Sequence, residues 1–149
     1  MGFEELVLVQ PRDMKVLNRK RTKEAASGAV NILDGAIVVS SLEEALEGTT
    51  VHCATGMPND MSITRDVKKF QEPRPFMEDL VSTNGEIQGG VSFLFGNERL
   101  GLSEEDMNRC HVVLGIPTNP LFGSLNLATA VNLIAYDWRQ ALGGFQVQE

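Results

Sequence analysis

Short apolar runs separated by polar turns recur along this chain, and five of them have the length of strands. Residues 3–9 open the series and stop at Gln10-Pro11; residues 36–39, 51–54, 91–95 and 111–116 follow. The last two are apolar without alternation, the pattern of strands covered on both faces. Helix indications lie between them. Residues 24–29 form a helix-compatible patch, and Ser41-x-x-Glu44 has capping-box spacing before Ala45-Leu46, with Gly48 as the stop. Ser103 precedes Glu104, Glu105 and Asp106, an N-cap with acidic residues at the positive end of the helix dipole. After Gly123-Ser124, the residues Leu127, Val131, Ile134 and Trp138 form one apolar stripe at helical spacing. Residues 61–90, rich in charge, proline and glycine, predict mostly loop with one helical turn at 76–81. Strands alternating with short helices predict an α/β fold: a parallel sheet with helices on both faces.

Composition narrows the picture. A length of 149 residues, 42% of them hydrophobic, suits one domain over 1–149. The net charge of −7 and pI near 4.8 argue against nucleic-acid binding through overall charge. A local exception exists: Arg12, Lys15, Arg19, Lys20, Arg21 and Lys23 supply six of the thirteen lysines and arginines within twelve positions. Such a run either meets phosphates or is a solvated loop, and no aromatic residue interleaves it for base stacking. Cys53 and Cys110 lack metal or disulfide spacing and read as reduced, buried thiols. His52 and His111 lie in or beside strands with no triad pattern and read as structural. No metal site is expected. No apolar run reaches membrane-spanning length, so a cytoplasmic protein without membrane contact is expected.

Two stretches carry candidate chemistry. Phe95-Gly96-Asn97-Glu98-Arg99-Leu100-Gly101-Leu102-Ser103 joins a strand to a capped helix. Its glycines let backbone approach a ligand, and Asn97, Glu98 and Arg99 stand at the strand end, where open α/β sheets bind ligands. An ordinary strand-to-helix turn has the same local pattern. Neither a Gly-Lys-Ser/Thr phosphate loop nor a GxGxxG turn is present. Residues 116–126, Ile-Pro-Thr-Asn-Pro-Leu-Phe-Gly-Ser-Leu-Asn, form a stiff polar loop before the last helix. Taken alone, it reads as a rigid loop whose Ser124 caps that helix.

Together, FGNERLGLS, IPTNP and SLNLATAV before a terminal amphipathic helix resemble the second and third motifs of the SpoU/TrmH-like branch of the SPOUT, or α/β-knot, RNA methyltransferases. The resemblance extends upstream through LVLVQP, the basic segment, AIVVSSLEEALEG and the strand ending at Thr55-Gly56. Within the branch it is closest to the TrmJ type of tRNA ribose methyltransferase, and it is weakest over 61–90. It implies a parallel sheet with a C-terminal trefoil knot, a rare exception to un-knotted topology. It implies S-adenosylmethionine as cofactor, with Thr55, Gly56, Met57, Gly96, Ile116, Gly123, Ser124 and Leu125 at matching positions. Asn97, Glu98, Ser124 and Asn126 match the polar positions that orient substrate and hold the loops. The implied assembly is a homodimer, and the implied reaction is methyl transfer to a ribose 2′-hydroxyl of RNA, most naturally tRNA, with rRNA as the other substrate class.

The chain departs from the family pattern in two places. Met1-Gly2-Phe3 matches the end of the family's first helix, so the preceding strand, its Asn-x-Gly turn and an arginine proposed to assist the base have no counterpart. A start assigned too late, a shortened chain and a loss of catalysis each account for that, and the first is the expectation adopted. Pro58 stands where an arginine is usual. The competing reading is a non-catalytic S-adenosylmethionine- or RNA-binding dimer, and a flavodoxin-like nucleotide-binding domain is a third.

Overall fold

The computed structural model describes residues 1–56, 70–84, 89–119, 121 and 124–147. Two compact units divide the chain: Gly2–Glu47, and Gly48–Glu149 with Met1.

In Gly2–Glu47, strand β1 (Val7–Val9) runs parallel to β2 (Ile37–Val39), with Val7 opposite Ile37 and Val9 opposite Val39. Only three residues of the apolar run 3–9 pair as a strand, because β2 offers three partners. A 3-10 turn over Val16–Asn18 leads into α1 (Lys20–Ala26), so the helix begins inside the basic segment rather than after it. A second helix, α2 (Val30–Gly35), was not expected from the sequence. Helix α3 (Leu42–Leu46) has the expected cap: the Glu44 N–H donates to Ser41 Oγ at 3.2 Å. The reciprocal half of the capping box is replaced, since Glu44 Oε1 accepts from Ser40 Oγ at 2.6 Å.

In Gly48–Glu149, four parallel strands lie in the order β4-β6-β3-β5: β3 (Val51–Gly56), β4 (Phe70–Gln71), β5 (Val91–Leu94) and β6 (Val112–Gly115). All the strand pairings described are parallel, as the sequence predicts, but they are distributed over two sheets rather than one. Every residue of β6 is buried, which accounts for its lack of alternation. The expectation of mostly loop over 61–90 fails for part of that stretch, where β4 is followed by α4 (Pro73–Asn84). Two prolines suggested a breaker, yet Pro73 and Pro75 fall in the first turn, where a missing N–H costs nothing because no intrahelical acceptor exists for it. The first helical bond is Phe76 N–H to the Glu72 carbonyl at 3.3 Å.

The core joins β3 and β6 to α4 and the last helix, α6 (Leu127–Ala141), with α5 (Glu104–Asn108) between β5 and β6 in the chain. Cys53, Val112 and Leu114 pack with Met77 of α4 and Ile134 of α6. Phe93 meets Trp138 edge-on, with ring centroids 5.6 Å apart. Arg74 of α4 bonds Asp137 of α6 through Nε at 3.0 Å and Nη2 at 2.9 Å. Ile134 and Trp138 follow the predicted stripe, but Val131 stays 38% exposed.

At the amino ends of β3 and β6 the two histidines interlock. The His111 N–H donates to the His52 carbonyl at 2.8 Å, and the His52 N–H donates to His111 Nδ1 at 2.9 Å. Their rings lie 5.1 Å apart.

Candidate functional site

Because β3, β5 and β6 are parallel neighbours, their carboxyl ends meet at one edge of the sheet, where ligands of open α/β sheets bind. Thr55 and Gly56 are the last residues of β3, so the strand runs two residues past the apolar run 51–54. Gly56 lies opposite Gly115 of β6, and Thr55 Oγ1 donates to the Leu94 carbonyl of β5 at 2.7 Å. Ile116 follows β6 directly, while Gly96 and Asn97 follow β5 by two and three residues. Thr55, Gly56, Gly96, Asn97 and Ile116 therefore gather at one end of the sheet. Gly56, Gly96 and Gly115 stand at this end beside Thr55, Asn97 and Ile116.

The loop after β5 is pinned by its own backbone. A Cβ on Gly96 would collide with the main chain of Gly101 and Leu102. Gly101 adopts φ +67°, a conformation that favours glycine. Asn97 bridges Gly101, whose N–H donates to the Asn97 carbonyl at 3.0 Å. The Asn97 side-chain oxygen accepts from Arg99 N–H at 3.0 Å and Leu100 N–H at 2.6 Å. Glu98 and Arg99 are held exposed on this frame. Ser103 then caps α5 as predicted, accepting from Asp106 N–H at 3.1 Å.

The loop after β6 leads to α6, whose cap is Asn126 rather than Ser124: Asn126 Oδ1 accepts from Ala128 N–H at 2.9 Å. Ser124 is exposed and Leu125 half-buried. Met57, Pro58 and Gly123 lie outside the described residues.

The six basic residues belong to the other unit and are not equivalent. Arg19 is paired with Asp13, Nε to Oδ2 at 2.9 Å and Nη2 to Oδ1 at 3.3 Å. This pairing, with the Lys15 N–H also donating to Asp13, holds the Asp13 carboxyl below its ordinary value. Lys20 lies 3.7 Å from Glu24. Arg12, Lys15, Arg21 and Lys23 are exposed, with no carboxylate partner among the described residues. Sequence reasoning passed over Asp13, although a lone carboxylate among six cations marked it.

Both cysteines are thiols outside any disulfide, and both are fully buried. Burial, with Cys110 adding to it, pushes the Cys53 thiol up to about 12, so it is not a nucleophile near neutral pH. Among the described residues no group of three or more histidines, cysteines or carboxylates is placed to hold a metal ion, and no helix is long and apolar enough to cross a membrane.

Comparison with known proteins places this geometry. The model of the SpoU rRNA methylase family matches residues 1–136. The tRNA (cytidine/uridine/adenosine-2′-O-)-methyltransferase TrmJ of Pseudomonas aeruginosa is 40% identical over 141 residues, covering 95% of this chain and 52% of that protein. The crystal structure of a probable methyltransferase from Bordetella pertussis superposes with a TM-score of 0.81 at 34% identity, over 95% of this chain and 81% of the other. That of TrmJ from Z. mobilis superposes at 0.78 with 36% identity, over 92% and 57% respectively. The chain spans about half the length of the curated relatives it matches. With the family model matching residues 1–136, both units included, the chain belongs to the SpoU rRNA methylase family.

Proposed function

We propose that this chain binds S-adenosylmethionine at the carboxyl ends of β3, β5 and β6 and acts in methyl transfer to a ribose 2′-hydroxyl of RNA, with tRNA as the foremost substrate. The observation that carries the reading is the gathering of Thr55, Gly56, Gly96, Asn97 and Ile116 at one sheet edge. The residues present fit the cofactor: Gly56, Gly96 and Gly115 beside strand-end main chain suit an adenosine, and the carbonyls of those strand ends suit its cationic groups. Membership of the SpoU family and the name of the Pseudomonas relative support the same reading. In it, Met57, Gly123, Ser124 and Leu125 complete the cofactor site, with the knot, a homodimer and cytoplasmic residence as further parts and 1–149 as one functional domain.

The bound cofactor supplies a methyl group activated by its sulfonium. This chain's residues then have to place a weakly nucleophilic hydroxyl in line with it and take up the proton that the hydroxyl loses as its oxygen bonds the methyl carbon and the sulfonium–methyl bond breaks. Asn97 and Asn126 commit their side-chain oxygens to backbone N–H groups, so they hold the loop and the helix start. Glu98 and Ser124, both exposed, are the polar groups left to meet the ribose.

Incubation with tritiated S-adenosylmethionine and an unmodified tRNA transcript tests this. Label recovered in RNA as 2′-O-methylnucleotide is the expected result. Calorimetric binding of the cofactor without any label in RNA would sink the transfer reading for this chain, and absence of cofactor binding would sink the site itself.

A further inference from the structure

Within residues 12–23, six cations surround one carboxylate. Helix stability does not account for the arrangement: Lys20 and Arg21 open α1, no acidic residue stands in its first turn, and cations there oppose the helix dipole. Nor does the overall charge of −7. The carboxylate itself is placed with care. Asp13 takes Arg19 at two points, 2.9 and 3.3 Å, which fixes the guanidinium plane as well as its position. Its Oδ1 also accepts from the Lys15 N–H at 3.0 Å, and its carbonyl accepts from Val16 N–H at 3.0 Å. Arg19 N–H donates to the Val16 carbonyl at 3.3 Å, and the Arg19 carbonyl accepts from Lys23 N–H at 3.2 Å. The ion pair therefore spans the turn over Val16–Asn18, alongside the turn's own backbone bonds, up to the residue that precedes α1.

We propose that Asp13 and Arg19 form a clasp that shapes this segment for an RNA backbone, leaving Arg12, Lys15, Arg21 and Lys23 as the phosphate contacts. The proposal rests on the reading of RNA as partner. A guanidinium committed to a carboxylate at two points meets a phosphate only by breaking that pair, so Arg19 is a positioning residue. Of the five other cations, Lys20 stands 3.7 Å from Glu24, whereas Arg12, Lys15, Arg21 and Lys23 carry their charge on exposed side chains with no carboxylate to displace among the described residues.

Binding of an unmodified tRNA transcript to the intact chain, followed between about 50 and 200 mM KCl, separates the roles, because each phosphate contact adds about 0.7 to 0.9 to the slope of log K against log salt. Asp13→Asn keeps an acceptor for the Lys15 N–H and keeps Arg19, yet breaks the ion pair. It is expected to weaken binding about three- to fivefold, the scale of an exposed ion pair, at an unchanged salt slope. Asp13→Asn with Arg19→Gln restores the net charge and is expected to bind as weakly as Asp13→Asn alone. Arg21→Gln with Lys23→Gln is expected to lower the slope by about 1.4 to 1.8. Glu24→Gln removes a carboxylate beside the same segment and frees Lys20 without touching the clasp, so it measures the effect of removing a negative charge and its pairing outside the clasp. Tighter binding by Asp13→Asn, equal to or beyond Glu24→Gln, overturns the clasp while RNA binding stands. An unchanged slope in the Arg21 and Lys23 variant overturns the assignment of contacts. Failure of the unaltered chain to bind tRNA removes the partner reading and the clasp with it. Circular dichroism of each variant checks that the fold is retained.

Discussion

Cys53 shows how a single buried atom ties stability to pH. Its thiol is pushed up to about 12 by burial, reinforced by Cys110. In the unfolded chain a thiol ionises near about 8.5, so above that pH the unfolded state holds fewer protons than the folded one. Stability from this source is complete below about 8.5 and declines as pH rises beyond it. Denaturant titrations at a series of pH values should show that alkaline decline, and Cys53→Ala should start lower at neutral pH and lose less stability across the alkaline range. The buried, reduced state of both cysteines was legible from the apolar runs around them. The reason for Gly96 was not. Its place in a turn read as room for a ligand, whereas the main chain of Gly101 and Leu102 occupies the space a Cβ would need. That contact joins residues five and six apart through a folded-back loop, and no local pattern encodes it.

At the scale of elements, the helix starts separate what sequence spacing determines from what it does not. Ser41 and Ser103 cap α3 and α5 as their spacing to Glu44 and Asp106 predicts, because each bond spans three residues and needs no tertiary partner. The start of α6 moved from Ser124 to Asn126, since Ser124, Asn126 and the stiff loop before them offer two chemically sensible caps. The two can be told apart. Asn126→Ala should lower stability by about 1 kcal/mol, the usual effect of losing a cap, as read by urea unfolding. Ser124→Ala should change it by less than about 0.5 kcal/mol while reducing methyl transfer; equal destabilisation by both would contradict the assignment. Helix α4 stayed hidden because prolines at its first and third positions look like breakers when the helix start is unknown. Its Pro73 and Met77 are buried, and Met77 packs against strands β3 and β6, far away in the chain.

For the molecule as a whole, the parallel character of the sheets was legible, since unalternating runs such as that of β6 call for cover on both faces. Their division into two sheets, and the insertion of β4 beside β6, were not, because strand order depends on long-range pairing rather than on any one run. The core sits in Gly48–Glu149, and Ile134 at 1% exposure is a hinge point of its packing with Cys53, Met77, Val112 and Leu114. Ile134→Ala should cost about 2–5 kcal/mol by loss of burial and creation of a cavity, seen as a lowered denaturation midpoint; a loss under about 1 kcal/mol would mean that this side chain is not central. The histidine pair at the amino ends of β3 and β6 gives the sheet a further property. Imidazole Nδ1 of His111 stands in for a main-chain carbonyl, so the ladder between these strands is fastened one step before its first paired residues, Cys53 and Val112. Sliding either strand by one residue would break that fastening and turn each inward side chain outward. The alignment of Gly56 with Gly115 at the carboxyl ends of these strands is thus set from the opposite end of the sheet, by two residues at its amino ends.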